Sequence, residues 1–547
     1  MMRPILYLTA EIGLEPGLPT YAGGLGVLAG DHVRSAADLD LPLTAVSLYY
    51  REGYGLQNLD EEGAQTLSFP RLEPDRVLEP GGFDLSIEIN GESIQLATWK
   101  REVTGLNGHT ITVWFLDAGL PQNDGSWQRV SERLYGGGPE NRLRQELILG
   151  FGGLALAEAL GMTDQMQLHL NEGHTAFAGY GLAKRYSLEK VRARCLFTTH
   201  TPVSAGHDRF DWEMVRNICG SDLTEALTAL VPGDRLNMSH LAAAHARAIN
   251  GVSVTNAQVA QDLFPNRDLE AVTNGVHLET WCMPPMLRLF DDCLPGWRED
   301  QSLLAGAVDL PDEALGAARE QCRRELVQYV NAQTQAGLRE DLPVLGFARR
   351  MTGYKRANLI LRDSQRLEAL AEQFGGLQIV FAGRAHPRDT EGQGIIRALT
   401  AASKATSPRL RIAMLPNYSM WSGRLLTGGV DLWLNNPIRP LEASGTSGMK
   451  ASFQGVPNLS ILDGWWVEGC RDGENGFAFG SEEPSRDDPG DAEALYDCLQ
   501  KRVLPLVTAK DVGPWRAMQK QAILTAQDFS SRRMVSDYAE RYYRQAV

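Results

Sequence analysis

Short apolar runs rich in leucine and β-branched residues alternate with longer segments of helical periodicity along the whole chain. In the first half the predicted strands are RPILYLTA, LTAVSLYY, TITVWFLDA, MQLHLNE, RCLFTTH and GVSVTN. In the second half they are PVLGFARR, LQIVFAGR, LRIAMLP, VDLWLNN and NLSILDG. Strands that alternate with helices are typical of parallel sheets covered by helices on both faces, so the pattern predicts an α/β fold.

A proline-rich stretch after Trp281, WCMPPMLRLFDDCLPGW, interrupts this alternation. A long surface helix is predicted to follow it, opened by Pro311 and Asp312, and a second strand–helix series begins near Val344. We therefore expect two doubly wound, Rossmann-like domains that face a cleft, covering residues 1–283 and 284–520. Residues 521–547 are predicted to form a C-terminal helix that packs back on the N-terminal domain.

Length and charge narrow the possible functions. The 547 residues are too many for one ordinary domain, and the net charge of −15 argues against nucleic acid and acidic membranes as partners. Glu11 interrupts the first apolar run, so no signal peptide is expected. Seven scattered cysteines favour a reducing cytoplasm and predict neither a disulfide framework nor a metal site.

The stretch PLEASGTSGMKASFQG combines hydroxyl groups and glycines ahead of one lysine, Lys450. Gly445 and Gly448 allow backbone N–H groups to converge, and a helix is predicted to begin near Met449, with Lys450 in its first turn. Such a turn suits a phosphate, and Lys450 would lie close enough to react with an aldehyde on the same ligand. The turn taken alone favours an ordinary helix cap with a solvated lysine, because short glycine-rich motifs are weak signals.

Four cations, Arg349, Arg350, Lys355 and Arg356, follow the buried strand in GFARRMTGYKRANLIL. Cations at a helix start oppose the helix dipole, so this composition indicates a bound phosphate. The loop YAGGLGVLAGD, after the first strand, offers a third anion-binding turn. It lacks the G-x-G-x-x-G spacing of a dinucleotide site.

Polar side chains end several other predicted strands. They are Glu172 and His174, then His200 and His207, then Asn274, His277 and Trp281. For any one of these histidines a structural role is as plausible as a functional one, but together they favour a pocket for a hydroxyl-rich, sugar-like ligand. Zinc-protease, serine-hydrolase and Walker motifs are absent from the sequence.

These motifs together resemble the α-glucan (glycogen, starch, maltodextrin) phosphorylases, in particular their compact bacterial branch. The resemblance rests on EASGTSGMK, RRMTGYKR, GGLGVLAGD, HLNEGHTAF, TTHTPV, NMSHLAAAHARAINGVS, TNGVHLETW, LPNYSMW and LDGWWVEG, from about Tyr7 to about Gly480. It implies a GT-B glycosyltransferase architecture, with an N-terminal glucan- and phosphate-binding domain and a C-terminal domain that binds pyridoxal 5'-phosphate.

The resemblance also assigns roles to individual residues. The catalytic residues would be Lys450, which carries the cofactor, with Arg350, Lys355 and His200. The cofactor pocket would include Arg349, Lys355, Gly445, Thr446, Ser447, Tyr418 and Trp281. The substrate phosphate would contact Gly23, Gly24, Arg350 and Lys355, and the terminal glucose would contact Glu442, Ala443, Ser444, Asn274, Tyr354, His200 and Glu172. No metal is implied.

The implied reaction is reversible phosphorolysis of the terminal α-1,4-linked glucose by orthophosphate, which gives α-glucose-1-phosphate. Two phosphate dianions about 5 Å apart would repel by roughly 13 kcal/mol at an effective dielectric constant near 20. The clustered cations are therefore necessary to this chemistry.

Two alternatives stay open. One is a retaining nucleotide-sugar glucosyltransferase of the glycogen-synthase type, and the other is a glucan-binding relative without activity. Departures from the family motifs at Thr199, Thr201, Glu172, Ser447 and Gly448 leave the preferred glucan length open. An enzyme without allosteric regulation is expected, since no regulatory segment precedes Tyr7, and a homodimer is possible.

Overall fold

The computed structural model describes residues 2–202, 206–405 and 407–544, which divide into two compact units. The first unit comprises Met1–Gly55, Phe69–Thr273 and Ser531–Val547, and the second comprises Leu56–Ser68 and Asn274–Ser530. The domain boundaries predicted after residues 283 and 520 lie near these division points. The division leaves residues 274–283 in the second unit, together with the helix that carries Trp281.

The strands in chain order are β1 Ile5–Leu8, β2 Leu43–Leu48, β3 Leu56–Leu59, β4 Gln65–Ser68, β5 Glu79–Ile89, β6 Glu92–Thr104, β7 Thr110–Asp117, β8 Gln167–Asn171, β9 Cys195–Thr198, β10 Arg209–Asp211, β11 Arg235–Asn237, β12 Ala248–Gly251, β13 Leu269–Ala271, β14 Val344–Ala348, β15 Leu377–Ala382, β16 Leu410–Leu415, β17 Leu432–Asn435, β18 Asn458–Ser460 and β19 Gly476–Ala478.

The α-helices are α1 Gly24–Asp38, α2 Gly125–Gln128, α3 Gly138–Leu147, α4 Gly153–Ala159, α5 Ala176–Ala183, α6 Leu188–Arg192, α7 Trp212–Cys219, α8 Ser221–Leu230, α9 Met238–His245, α10 Val254–Ala260, α11 Leu278–Trp281, α12 Pro284–Cys293, α13 Asp312–Thr334, α14 Ser364–Gln373, α15 Thr390–Lys404, α16 Met420–Gly429, α17 Thr446–Phe453, α18 Trp466–Gly469, α19 Asp488–Cys498, α20 Leu504–Val507, α21 Gly513–Gln527 and α22 Ser531–Tyr538. Short π-helical turns continue α3, α19 and α22.

The main sheet of the first unit has the strand order β13-β12-β9-β8-β1-β2-β7-β6-β5. Its strands run parallel from β13 to β7, whereas β6 and β5 join as an antiparallel extension. Every residue of β1 and β8 is buried, as expected for strands covered on both faces. The strand order reverses between β1 and β8, which places the topological switch point there.

The main sheet of the second unit is entirely parallel, with the order β16-β15-β14-β17-β18-β19. This is the doubly wound order 3-2-1-4-5-6, and its switch point lies between β14 and β17. The two sheets confirm the predicted fold class of two doubly wound α/β units.

One predicted strand is wrong. The run GVSVTN begins on the last residue of β12 but continues into α10, because the Ser253 side chain accepts the N–H of Asn256 and caps that helix. The antiparallel pairs β3–β4, β5–β6 and β10–β11 were not predicted either.

The C-terminal region is divided between the units. Helix α21 packs against α17 in the second unit, and α22 packs against α1 in the first, where the hydroxyls of Ser35 and Ser531 are 2.6 Å apart. Within the described ranges, every helix is too short or too polar to cross a lipid bilayer.

Candidate active site

The predicted basic residues of the second unit follow strands on either side of its switch point. Arg349 comes directly after β14, and the loop that contains Glu442 comes after β17. Parallel strands of this fold bring such loops together at their carboxyl ends, where ligands commonly bind.

Glu442 forms ion pairs with two of the predicted cations. Its Oε1 lies 2.6 Å from Arg349 Nη2, and its Oε2 lies 3.1 Å from Lys355 Nζ. All three residues are buried. Burial alone would raise the pKa of Glu442, but the charges and hydrogen bonds of Arg349 and Lys355 lower it to about 2. The cluster therefore carries one ionised carboxylate and two buried cations, a net positive charge.

Backbone contacts hold the loop of Lys355 against the loop of Glu442. Residues Gly353–Lys355 form one 3-10 turn, which ends at Arg356 in the left-handed conformation. The carbonyl of Tyr354 accepts the N–H of Ile438 at 2.8 Å, and Arg356 Nε donates to the carbonyl of Asn436 at 2.9 Å. These bonds fix Lys355 relative to Glu442, because they join the residues before and after Lys355 to the segment that leads into Glu442.

Lys450 lies on α17, which begins at Thr446 rather than near Met449 as predicted. Gly445, at φ +88°, ends the preceding loop, so the helix can start one residue later. Gly448 lies within the helix. A glycine is required at this position, because a Cβ there would clash with Asn458 and Trp465. Lys450 is consequently the fifth residue of the helix, is buried, and places its Nζ 3.4 Å from the centre of the Trp281 ring.

The start of α17 offers donors that fit a phosphate-bearing cofactor. The first N–H groups of a helix have no intrahelical acceptor, and those of α17 follow Gly445. A Cβ added at Gly445 would contact the Glu442 side chain. The Ser444 hydroxyl is buried and lacks a hydrogen-bond partner among the described residues. A buried amine, two buried cations and an unpartnered hydroxyl are the donor set that an aldehyde with a phosphate group requires.

Other residues predicted for the site also belong to the second unit. Tyr354 has the Lys355 Nζ 4.9 Å from the centre of its ring, and the Ser447 hydroxyl accepts the Trp433 indole N–H at 3.2 Å. Tyr418 precedes α16, and its carbonyl accepts a bond from Arg384 at 3.2 Å. Asn274 is buried and Ala443 is half-buried.

Arg350 differs from its neighbour Arg349, since it is exposed rather than buried. Its charge acts on His386, whose pKa is lowered by burial first and then by Arg388 and Arg350. The two consecutive arginines therefore have different surroundings, and only Arg349 pairs with Glu442.

Sequence reasoning missed Asp463, which follows β18. Its carboxylate accepts the N–H of Glu442 on Oδ2 and the N–H of Gly464 on Oδ1, both at 2.9 Å. Burial, the largest effect, and the negative charge of Glu442 raise the pKa of Asp463 to about 7. The sequence feature that could have identified Asp463 is its position after a buried strand, in the run NLSILDG.

In the first unit the structure brings Glu172 and His200 together. Glu172 Oε2 accepts the N–H of His200 at 2.8 Å and the hydroxyl of Thr201 at 3.1 Å. The His200 Nε2 lies 2.7 Å from Asn171 Oδ1, so Nε2 carries the proton and Nδ1 is an acceptor. Burial lowers the pKa of His200 to about 4, despite the opposing charge of Glu172, so the imidazole is neutral near pH 7.

Gly23 caps α1, and Gly24 is its first residue. The N–H groups of Ala22 and Gly23 both donate to Oε2 of the buried Glu11, at 2.6 and 3.2 Å. Tyr135 donates its hydroxyl to Oε1 of the same carboxylate at 2.8 Å. Glu11, which sequence reasoning noted only as an interruption of an apolar run, thus orders the glycine loop.

A nearby group, Glu146, His174 and Asp208, has the residue types of a metal site, with ligand atoms within 4.8 Å of one another. Arg142 lies inside this group: its Nε is 3.1 Å from Asp208 Oδ2 and 3.2 Å from Glu146 Oε1. The guanidinium therefore supplies the positive charge that a metal ion would bring.

Comparison with known proteins agrees with this arrangement. The family model described as carbohydrate phosphorylase matches residues 207–497. The chain is 36% identical to the maltodextrin phosphorylase of Thermococcus litoralis, over 100% of this chain and 71% of that protein. It is 36% identical to the glycogen phosphorylase of Mycobacterium tuberculosis, over 99% of this chain and 71% of that protein. It is 35% identical to the glycogen phosphorylase of Aquifex aeolicus, over 99% of this chain and 86% of that protein. The chain therefore belongs to the carbohydrate phosphorylase family.

Proposed function

We propose that this protein is an α-1,4-glucan phosphorylase, which uses orthophosphate to release the non-reducing terminal glucose of glycogen or maltodextrin as α-glucose-1-phosphate, reversibly. The observation that carries the proposal is the buried Arg349–Glu442–Lys355 cluster at the switch point of the second unit. The names of the relatives, maltodextrin phosphorylase and glycogen phosphorylase, support the same substrate class.

The cluster suits phosphoryl chemistry because its two cations outnumber its one carboxylate. Arg349 and Lys355 are held by Glu442 before any anion binds, so they stabilise phosphate charge with little reorganisation. Arg350, exposed beside them in sequence, would add a further cation for the substrate phosphate.

We assign pyridoxal 5'-phosphate to Lys450, with Trp281 and Tyr418 beside it and its phosphate on Arg349, Lys355, Gly445, Thr446 and Ser447. When bound, the cofactor supplies a phosphate group for acid–base chemistry. The role of Lys450 is to hold it, and burial of the amine against Trp281 excludes water from that position.

Sugar-binding roles are assigned separately to residues of each unit. In the second unit, the terminal glucose is assigned to Glu442, Ala443, Ser444, Asn274 and Tyr354. The buried Ser444 hydroxyl, which has no hydrogen-bond partner in the described part of the chain, is available to bind it. In the first unit, the neutral His200 offers Nδ1 as an acceptor for a sugar hydroxyl, oriented by Glu172 and Asn171. Gly23 and Gly24 are assigned to the substrate phosphate.

The test is incubation of the purified protein with maltodextrin and orthophosphate, followed by an assay for glucose-1-phosphate. The purified protein should also show pyridoxal absorbance that borohydride fixes to Lys450. Lys450→Ala should lose both properties, whereas Lys520→Ala, which removes a lysine paired with Asp312 in the same unit, should keep them.

Two results would contradict the proposal. Full phosphorolysis by the Lys450→Ala variant would show that Lys450 does not have the role assigned to it. Glucose transfer from a nucleotide sugar, without phosphorolysis, would identify a glycogen-synthase type of enzyme instead. A homodimer and a cytoplasmic location are parts of the proposal that light scattering and cell fractionation test.

A further inference from the structure

We propose that Asp463 is a positioning residue, which holds the Glu442 loop in the geometry that presents Arg349 and Lys355 to the substrates. The inference rests on the proposed function, because it concerns the terminal-glucose and phosphate site assigned above. None of the motif-derived roles includes Asp463.

The carboxylate of Asp463 joins two loops. Oδ2 accepts the backbone N–H of Glu442 at 2.9 Å, and Oδ1 accepts the backbone N–H of Gly464 at 2.9 Å. The residue is 3% exposed, so water does not compete for these bonds. One buried carboxylate thus ties the loop after β17 to the loop after β18.

The two residues after Asp463 complete a clamp on the same loop. Gly464 has φ +54°, and a Cβ there would clash with the carbonyl of Ser444. Trp465 donates its N–H to that carbonyl at 2.8 Å. The segment Asp463–Trp465 therefore grips the Glu442 loop at two points, the N–H of Glu442 and the carbonyl of Ser444.

The position of Glu442 decides the position of the cations. Arg349 and Lys355 come from a different loop, and each reaches Glu442 through its side chain, at 2.6 and 3.1 Å. A shift of the Glu442 backbone would move the carboxylate that orients both cations. Asp463 thus acts on the site through Glu442 without touching the substrate itself.

The charge of Asp463 tunes the strength of this clamp. Burial, together with the charge of Glu442, raises the pKa of Asp463 to about 7, although the N–H bonds and Arg439 oppose the rise, and Arg349 also acts on it. A carboxylate accepts N–H bonds more strongly than a neutral carboxyl group does. The clamp should therefore tighten as the pH rises through neutrality.

Asp463→Asn is the informative variant, because its amide retains the shape but offers only one acceptor oxygen. Asp431→Asn is the matched control: Asp431 is also buried and also accepts a backbone N–H, that of Val344 at 2.9 Å. It lies at the amino ends of β14 and β17, the opposite edge of the sheet.

The experiment measures maltodextrin binding to the cofactor-loaded proteins by calorimetry at pH 6, 7 and 8, with kcat and KM from the phosphorolysis assay. In the wild type, Kd should fall about threefold to fivefold between pH 6 and pH 8, the difference between a neutral and a charged hydrogen bond. Asp463→Asn should bind more weakly and lose this pH dependence. Asp431→Asn should retain the wild-type Kd at each pH.

Thermal unfolding gives a second readout that needs no activity. Because the folded pKa of Asp463 exceeds its ordinary value of 3.8, the folded protein loses stability as the pH rises toward 7. Between pH 5 and pH 8 the unfolding midpoint should therefore fall more in the wild type than in Asp463→Asn.

The outcomes separate the two proposals. An active wild type with an Asp463→Asn variant of unchanged Kd and unchanged pH dependence overturns the inference alone. Absence of phosphorolysis in the wild type overturns the proposed function and removes the basis of the inference with it.

Discussion

Glu442→Gln tests the electrostatics of the candidate site most directly. The substitution keeps the size of the side chain but removes the one carboxylate that, among the described residues, pairs with both Arg349 and Lys355. Less than a tenth of the Glu442 side chain is exposed, and the Arg349 and Lys355 side chains are 7% and 10% exposed. The variant would leave two poorly hydrated cations without their counter-ion.

The shift in the pKa of Glu442 gives the contribution of the ion pairs to the free energy of unfolding. The fall of this pKa from the ordinary 4.5 to about 2, at about 1.4 kcal/mol per pH unit, corresponds to about 3 kcal/mol of stability. Removal of one partner from a buried ion pair costs about 3–5 kcal/mol, which agrees. Because the folded pKa is lowered, this stability is present above pH 4.5 and is lost as the pH falls toward 2.

The assay is thermal unfolding at pH 7 and at low pH, with and without inorganic phosphate. At pH 7 the midpoint of Glu442→Gln should fall by about 6–12 °C, since 1 kcal/mol moves a domain of this size by about 2–4 °C. Added phosphate should stabilise the variant more than the wild type, because the two cations then bind the anion without competition from Glu442. As the pH falls from 4.5 toward 2, the two proteins should converge.

Glu340→Gln is the control, since Glu340 pairs with Arg324 on the surface, where an ion pair contributes at most about 1 kcal/mol. The reasoning is refuted if Glu442→Gln melts with the wild type at pH 7 and gains no more from phosphate.

Three further predictions follow from the described contacts. Gly464→Ala should weaken maltodextrin binding and cost at least about 1 kcal/mol in chemical denaturation, because the residue has positive φ and lies against the Ser444 carbonyl. Wild-type binding in this variant would contradict the clamp. Asp117→Asn should cost about 3–5 kcal/mol in the same measurement yet preserve kcat, because it breaks the buried pair with Arg51, whose Nη1 lies 2.6 Å from Oδ1. A loss of kcat in the folded variant would show that this pair matters to the site. His200→Gln should reduce the loss of stability between pH 6.5 and pH 4, because the folded pKa of His200, about 4, lies below its ordinary 6.5 and its neutral form is favoured. Identical acid melting profiles would contradict that assignment.

The fold was largely predictable, because buried parallel strands are apolar at nearly every position and end in polar turns. The antiparallel extension of the first unit was missed although it had a signal. Asn90 and Gly91, both with positive φ, form the tight turn between β5 and β6, and the alternating pattern on either side is typical of a hairpin. Continuous apolar runs indicate strands buried on both faces, whereas this alternation indicates strands with one exposed face.

The candidate site was predictable only in part. The run from Arg349 to Arg356 was recognisable because four cations after a buried strand are costly without an anion. The sequence did not indicate that Arg349 and Lys355 would be buried while Arg350 would be exposed, since that depends on the turn at Gly353–Lys355. Nor did it indicate that Glu442 would pair with the cations, because the residues are about 90 positions apart.

Sheet topology explains why these distant residues meet. In the second unit, β14, β17 and β18 are consecutive neighbours in space, although β15 and β16 separate β14 from β17 along the chain. Each of the three strands ends at the same edge of the sheet, so their following loops supply Arg349 with Lys355, then Glu442, then Asp463 in spatial order. The cation pair is thus held by a carboxylate from the next strand, which is held in turn by a carboxyl group from the strand beyond. The hydrogen-bonded path from Asp463 to the cations runs through Glu442. Glu442→Gln combined with Asp463→Asn should therefore cost less in maltodextrin affinity than the sum of the two single substitutions.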